Sequence, residues 1–178
     1  LHVDGARLFN AAVALEAPAS ELVKDVDSVT FCLSKGLGAP VGSLLCGSNE
    51  FVEEARRWRK MLGGAMRQVG VIAAAGVVAL DTMIDRMADD HANARKLAAA
   101  LAEMPGIDID LSTVETNIVR FGVPAHKGLE IQGRLKDEGV LINGGDSDLR
   151  FVPHYGIDSE DIDIAINAMD KVMAEVAG

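Results

Sequence analysis

The chain is 178 residues long, 49% hydrophobic and 25% charged, with 17 Lys+Arg against 27 Asp+Glu for a formal net charge of −10. That length suits one well-buried domain, or one and a piece of another, and the apolar fraction excludes a disordered chain. No apolar run reaches the ~20 residues that a membrane span needs, and the acidic balance argues against nucleic acid as a partner.

In chain order, the opening at Leu1 has neither a methionine nor a signal-like leader, and His2-Val3-Asp4 reads as the end of a strand. A helical pattern follows over residues 6–15. Residues 28–33 (SVTFCL) and 41–46 (VGSLLC) are strand-like, and the glycines and proline of residues 34–40 mark a tight connection between them. Ser48 offers an N-cap, with Glu50 in the first turn, for a helix running to about Leu62, where Gly63-Gly64 breaks it. Residues 66–103 are helical and alanine-rich, as two helices meeting near residues 86–90. Residues 69–80 are almost wholly apolar and are expected to be buried. Met104-Pro105-Gly106 ends the second helix. Beyond it, residues 116–121, 140–142 and 148–152 are strand candidates and residues 127–138 a helix. Ser159 caps a last helix to about Val176, apolar at Ile162, Ile166, Met169, Val172 and Met173. The predicted organisation is α/β over residues 1–86 and a smaller α+β unit over residues 87–178. Two cysteines, Cys32 and Cys46, cannot form a disulfide framework, so a reducing cytoplasm is expected, with both thiols in the core.

The chemistry concentrates in two segments. His2-Val3-Asp4-Gly5-Ala6-Arg7 puts a carboxylate at the C-terminal end of a strand, where open α/β sheets bind their ligands. Lys35 follows a second strand, between Ser34 and Gly36, so its amine is approachable. A nucleophilic lysine has to spend time unprotonated, which burial or a nearby cation brings about. Such an acid–lysine pair serves pyridoxal 5′-phosphate chemistry, the lysine holding the cofactor as an imine and the acid keeping the pyridine nitrogen protonated. On spacing alone, Asp4 as a helix N-cap and Lys35 as a solvated loop residue is the commoner reading, since Asp-Gly and Lys-Gly pairs are frequent in turns.

Longer words separate the two readings. HVDGARLFNA, SVTFCLSKGLGAPVGSLLCGS and RRWRKMLGGAMRQVGVIAAAG, with VETNIV (114–119) and LRFVPH (149–154), resemble the low-specificity L-threonine aldolases over nearly the whole chain. The resemblance implies a pyridoxal-phosphate-dependent transferase-like fold (fold type I), here the end of the large α/β domain plus a small C-terminal domain. It implies a carbon–carbon lyase that cleaves L-threonine or L-allo-threonine to glycine and acetaldehyde, in threonine catabolism and glycine formation. By the same resemblance Lys35 is the Schiff-base lysine, Asp4 the partner of the pyridine nitrogen, and Arg7 a neighbour of cofactor and substrate. Arg150 is the second carboxylate-binding arginine, and Arg67 and Lys60 lie near the cofactor phosphate. Planar guanidinium groups suit a carboxylate, which they take bidentately. The relatives assemble as dimers of dimers. Their phosphate loop and ring-stacking histidine precede the HVDGAR word, so the 178 residues alone are expected not to catalyse. Another pyridoxal-phosphate reaction (transamination, β-elimination or racemisation), a module in which Lys35 is inert, and a non-catalytic remnant are the alternatives.

The remaining candidates read as structural. His2 shares a strand face with Asp4, and His126 and His154 fit surface or capping roles. Asp89-Asp90-His91 has no metal-ligand spacing, because adjacent helical positions diverge, and it is expected to form a solvated face. The run Arg56-Arg57-Trp58-Arg59-Lys60 suits the C-terminal end of a helix dipole.

Overall fold

A computed structural model of the chain describes residues 1–177. These divide into two compact units, the first Leu1–Met87 and the second from Ala88 onward.

The first unit is built on β1 (His2–Asp4), α1 (Leu8–Ala14), the single-turn α2 (Ala19–Leu22), β2 (Ser28–Cys32), β3 (Ser43–Gly47), α3 (Asn49–Met61) and α4 (Gly70–Thr82). Its sheet has the order β1-β2-β3. β1 and β2 run parallel, Asp4 in register with Thr30, which the crossover through α1 and α2 permits. β3 returns antiparallel to β2. Strand alternation sorts the two faces. Val29 and Phe31 are buried, and Phe9 of α1 meets Phe31 edge-on with ring centroids 5.1 Å apart. His2, Asp4, Ser28 and Thr30 take the other face, where the His2 ring spans Ser28 Oγ at 2.9 Å and Thr30 Oγ1 at 3.3 Å. Ser48 caps α3 as predicted, its Oγ accepting from the Phe51 amide at 3.2 Å.

Burial departs from expectation in this unit. α4 is apolar around its circumference up to Leu80, yet among the described residues one stripe alone is covered: Gly76 and Ala79 are buried, while Val71, Val77 and Val78 are exposed. The stripe faces Leu33, whose Cδ1 stands 2.9 Å from where a Cβ on Gly76 would be. All of β3 is exposed, so Cys46 is a surface thiol and not a core one, and Cys32 is half-buried.

The second unit comprises most of α5 (Met87–Ala102), then β4 (Val119–Gly122), α6 (Gly128–Asp137), β5 (Asn143–Gly144), β6 (Asp148–Phe151) and α7 (Ser159–Ala177). Its antiparallel sheet has the order β4-β6-β5. Val119, Phe121, Leu149 and Phe151 turn inward, with the two phenylalanine rings stacked 5.7 Å apart. Leu97 and Leu101 of α5, Ile131 and Leu135 of α6, and Met169 and Val172 of α7 close over that face. The alternate residues Arg120, Asp148 and Arg150 consequently line the open face. The third strand lies at Asn143–Gly144 and not at residues 140–142, whose apolar Val140 and Ile142 pack instead against the core. Asp90 and His91 also correct the expectation: both are buried, and Asp89 alone of the three is solvated. No helix among the described residues is long and apolar enough to cross a membrane.

Candidate active site

Asp4 ends β1, and the turn bearing Lys35 follows β2, the strand parallel and adjacent to it, so both lie past the C-terminal ends of neighbouring strands. Each is followed by a glycine at which a side chain would be crowded, slightly at Gly5 and severely at Gly36. The Gly5 amide donates to the Thr30 carbonyl at 2.7 Å, and a Cβ on Gly5 would stand 3.2 Å from that oxygen. At Gly36 a Cβ would fall 2.5 Å from Asn10 Oδ1 and 3.2 Å from the Met87 methyl. Space, and not a left-handed backbone, therefore demands glycine beside Lys35.

The loop is held while its amine stays free. The Lys35 carbonyl accepts from the Gly38 amide at 2.9 Å, with Gly38 at φ +73°, and the Leu33 carbonyl accepts from Ala39 at 2.9 Å. Leu37 and Ala39 anchor the turn in the hydrophobic core. Lys35 itself is exposed, and among the described residues neither its ammonium nor the Asp4 carboxylate makes a hydrogen bond or ion pair. A rigid loop presenting an unpaired amine is an arrangement suited to covalent capture of a carbonyl. Arg7, at the N-cap of α1, lines the same small depression as Gly36 and Cys32. Asn10, buried on α1, also lines it and buttresses the lysine turn. Its role was not legible in the sequence, since nothing in the spacing of Asn10 and Gly36 marks them as neighbours.

The other candidates stand apart from this group. Lys60 lies in the last turn of α3 and Arg67 in the connection before α4; both are exposed, and neither side chain bonds to Asp4, Arg7 or Lys35. Arg56, from the same basic run, is taken by Glu53 at 2.8 Å. In the second unit, Arg150 stands on the open sheet face and makes no ion pair among the described residues. His126 pairs with Asp146, and His154 Nδ1 lies 2.8 Å from the Tyr155 carbonyl. Burial holds His91 below the usual imidazole range, the Arg95 charge adding to this and Asp90 opposing it.

Known proteins resemble the chain in sequence and in fold. The chain is 44% identical over 177 residues to low-specificity L-threonine aldolase 1 of Arabidopsis thaliana, covering 97% of this chain and 49% of that protein. It is 43% identical over 162 residues to the low specificity L-threonine aldolase of Escherichia coli strain K12, covering 91% and 47%. The chain thus spans about half the length of the curated relatives it matches. Among solved structures, one assigned as an L-allo-threonine aldolase from Listeria monocytogenes superposes with a TM-score of 0.78 at 22% identity, over 97% of this chain and 52% of that one. The fold is the expected α/β architecture of the fold-type-I pyridoxal-phosphate enzymes. The model of the beta-eliminating lyase family matches residues 1–123, and the chain belongs to that family.

Proposed function

We propose that this chain supplies part of a pyridoxal-phosphate-dependent aldehyde-lyase site that cleaves an L-β-hydroxy-α-amino acid, L-threonine or L-allo-threonine, to glycine and an aldehyde. The observation that carries the reading is the juxtaposition of Asp4 and Lys35 beyond adjacent parallel strands, each followed by a glycine at which an added Cβ would be crowded. These residues fit the cofactor: an unpaired amine for its aldehyde, an unpaired carboxylate for its ring nitrogen, and a close-packed floor at Gly36. When bound, pyridoxal phosphate supplies an electron sink for the charge left at Cα as the Cα–Cβ bond breaks.

The chain's own residues do the rest. Lys35 Nζ holds the cofactor and exchanges a proton with the Cα region of the substrate. Asp4 keeps a proton on the ring nitrogen by supplying the opposite charge beside it. Arg7 and Arg150 take the substrate carboxylate and so orient the bond to be broken. Arg67, with Lys60, supplies positive charge for the cofactor phosphate. Residues 1–86 are read as the C-terminal part of the large cofactor-binding domain and residues 87–178 as the small domain. The same proposal includes a cytoplasmic homo-oligomer, a dimer of dimers.

The test incubates the gene product carrying this chain with pyridoxal phosphate and L-threonine, and measures glycine and acetaldehyde. Equal amounts of the two support the reading. Formation of a keto acid with ammonia, or of an amino-transfer product, overturns aldol cleavage in favour of another reaction on the same framework.

A further inference from the structure

We infer that Arg120, Asp148 and Asn143 set the charge of the site around Arg150 so that it accepts a ligand with one carboxylate and discriminates against one with two. This rests on the proposed role of Arg150 and adds what surrounds it. On the open face of the second sheet, Arg120 of β4 and Asn143 of β5 are both in register with Arg150 of β6, so one rung reads Arg120–Arg150–Asn143. Directly opposed side chains on such a rung start only ~4.5–5.5 Å apart, and like charges there repel. Two facing guanidinium groups therefore need counter-charge.

Asp148 supplies it to one of them. It stands two residues before Arg150 on the same face, and its carboxylate accepts from Arg120 Nη2 at 2.5 Å. Arg150 has no such partner among the described residues. Of the neighbouring carboxylates, Asp108 packs against Gly122 on the far edge of β4, one strand further from Arg150, and Asp146 is paired with His126. With Leu149 and Gly144, the rung and Asp148 line a cleft of about 180 Å³, room for a small carboxylate. Two cations against one anion leave a single positive charge, held by Arg150, and the Asn143 amide is placed to donate to an oxygen of the same ligand. A second carboxylate would meet Asp148 in competition for Arg120.

The test follows arginine Nε–Hε resonances of the full chain by NMR at low salt, with acetate and succinate as probes. In the unmodified chain acetate is expected to shift Arg150 and leave Arg120 in place. In Asp148→Asn, succinate is expected to shift both arginines, and its affinity relative to acetate to rise about fivefold, the effect of one unit charge ~4 Å away in water. In Arg120→Gln, which frees Asp148 beside Arg150, acetate affinity is expected to fall by about the same factor. Arg150 responding to acetate while Asp148→Asn leaves the succinate preference unchanged, or Arg120→Gln leaves acetate affinity unchanged, overturns this inference alone. An Arg150 resonance indifferent to acetate in the unmodified chain overturns the carboxylate role, and this inference with it.

Discussion

Replacing Gly36 by alanine tests whether the lysine turn is braced as tightly as its packing implies. The added Cβ would lie 2.5 Å from Asn10 Oδ1, well inside contact distance, and 3.2 Å from the Met87 methyl. Gly36 is not in the left-handed backbone region, so the cost is one of space alone. Asn10 is 1% exposed and on a helix, and cannot swing away into solvent. Forcing a methyl into such a site costs about 1–3 kcal/mol. Because the chain has two compact units, a single global unfolding curve would mix them. Native-state hydrogen exchange at the β2 amides reads the first unit directly. A double-mutant cycle isolates the contact: in an Asn10→Ala background the clashing oxygen is gone, and Gly36→Ala should cost less by roughly 0.5–3 kcal/mol. A Gly36→Ala variant within about 0.5 kcal/mol of the parent, or an equal cost in both backgrounds, would refute the packing argument.

Removing the cap of α3 with Ser48→Ala should cost the helix about 1 kcal/mol, seen as faster exchange in its first turn and not elsewhere. Ile131→Ala, at a fully buried position of the second core, should destabilise that unit by about 2–5 kcal/mol in urea unfolding followed on β4 and β6 resonances, with the first unit unchanged. His91 makes the second unit sensitive to pH. Its folded value lies below the ordinary 6.5, so the stability it contributes is complete above 6.5 and is lost as pH falls from there through the lowered value, with a slope of at most about 1.4 kcal/mol per pH unit. Substituting Gln for His91 should flatten that part of the profile, and identical profiles for the two proteins would contradict the assignment.

What could be read from the chain divides by range. Strand–helix alternation and short-range signals are local, so the Ser48 cap, the break before α5 and the face of α7 that carries Ile162, Met169 and Val172 are legible. The expected Ser159 cap of α7 is one residue out: Asp158 Oδ1 accepts from the Glu160 and Asp161 amides. Burial depends on partners, and there the sequence misleads. α4 is apolar all round and carries no stripe to show which side meets Leu33, and β3 is largely apolar but no layer of the described residues covers it. Asp90 and His91 look like a solvated run because charge is their local signal, whereas packing within the fold encloses them. In the candidate site, Asp4, Arg7 and Lys35 were visible as ordered words, and the sheet brings the ends of β1 and β2 side by side. Asn10 and the Arg120–Arg150 rung were not, because contact across elements and cross-strand register leave no mark on spacing.

Whether Lys35 holds the cofactor is open to chemical trapping. Reducing the protein with borohydride in the presence of pyridoxal phosphate, then mapping peptides by mass, tests it most directly. The pyridoxyl mass is expected on the peptide spanning Lys35 and is expected to vanish in Lys35→Ala. A label confined to Lys60 or any other lysine, or no label at all, would contradict it.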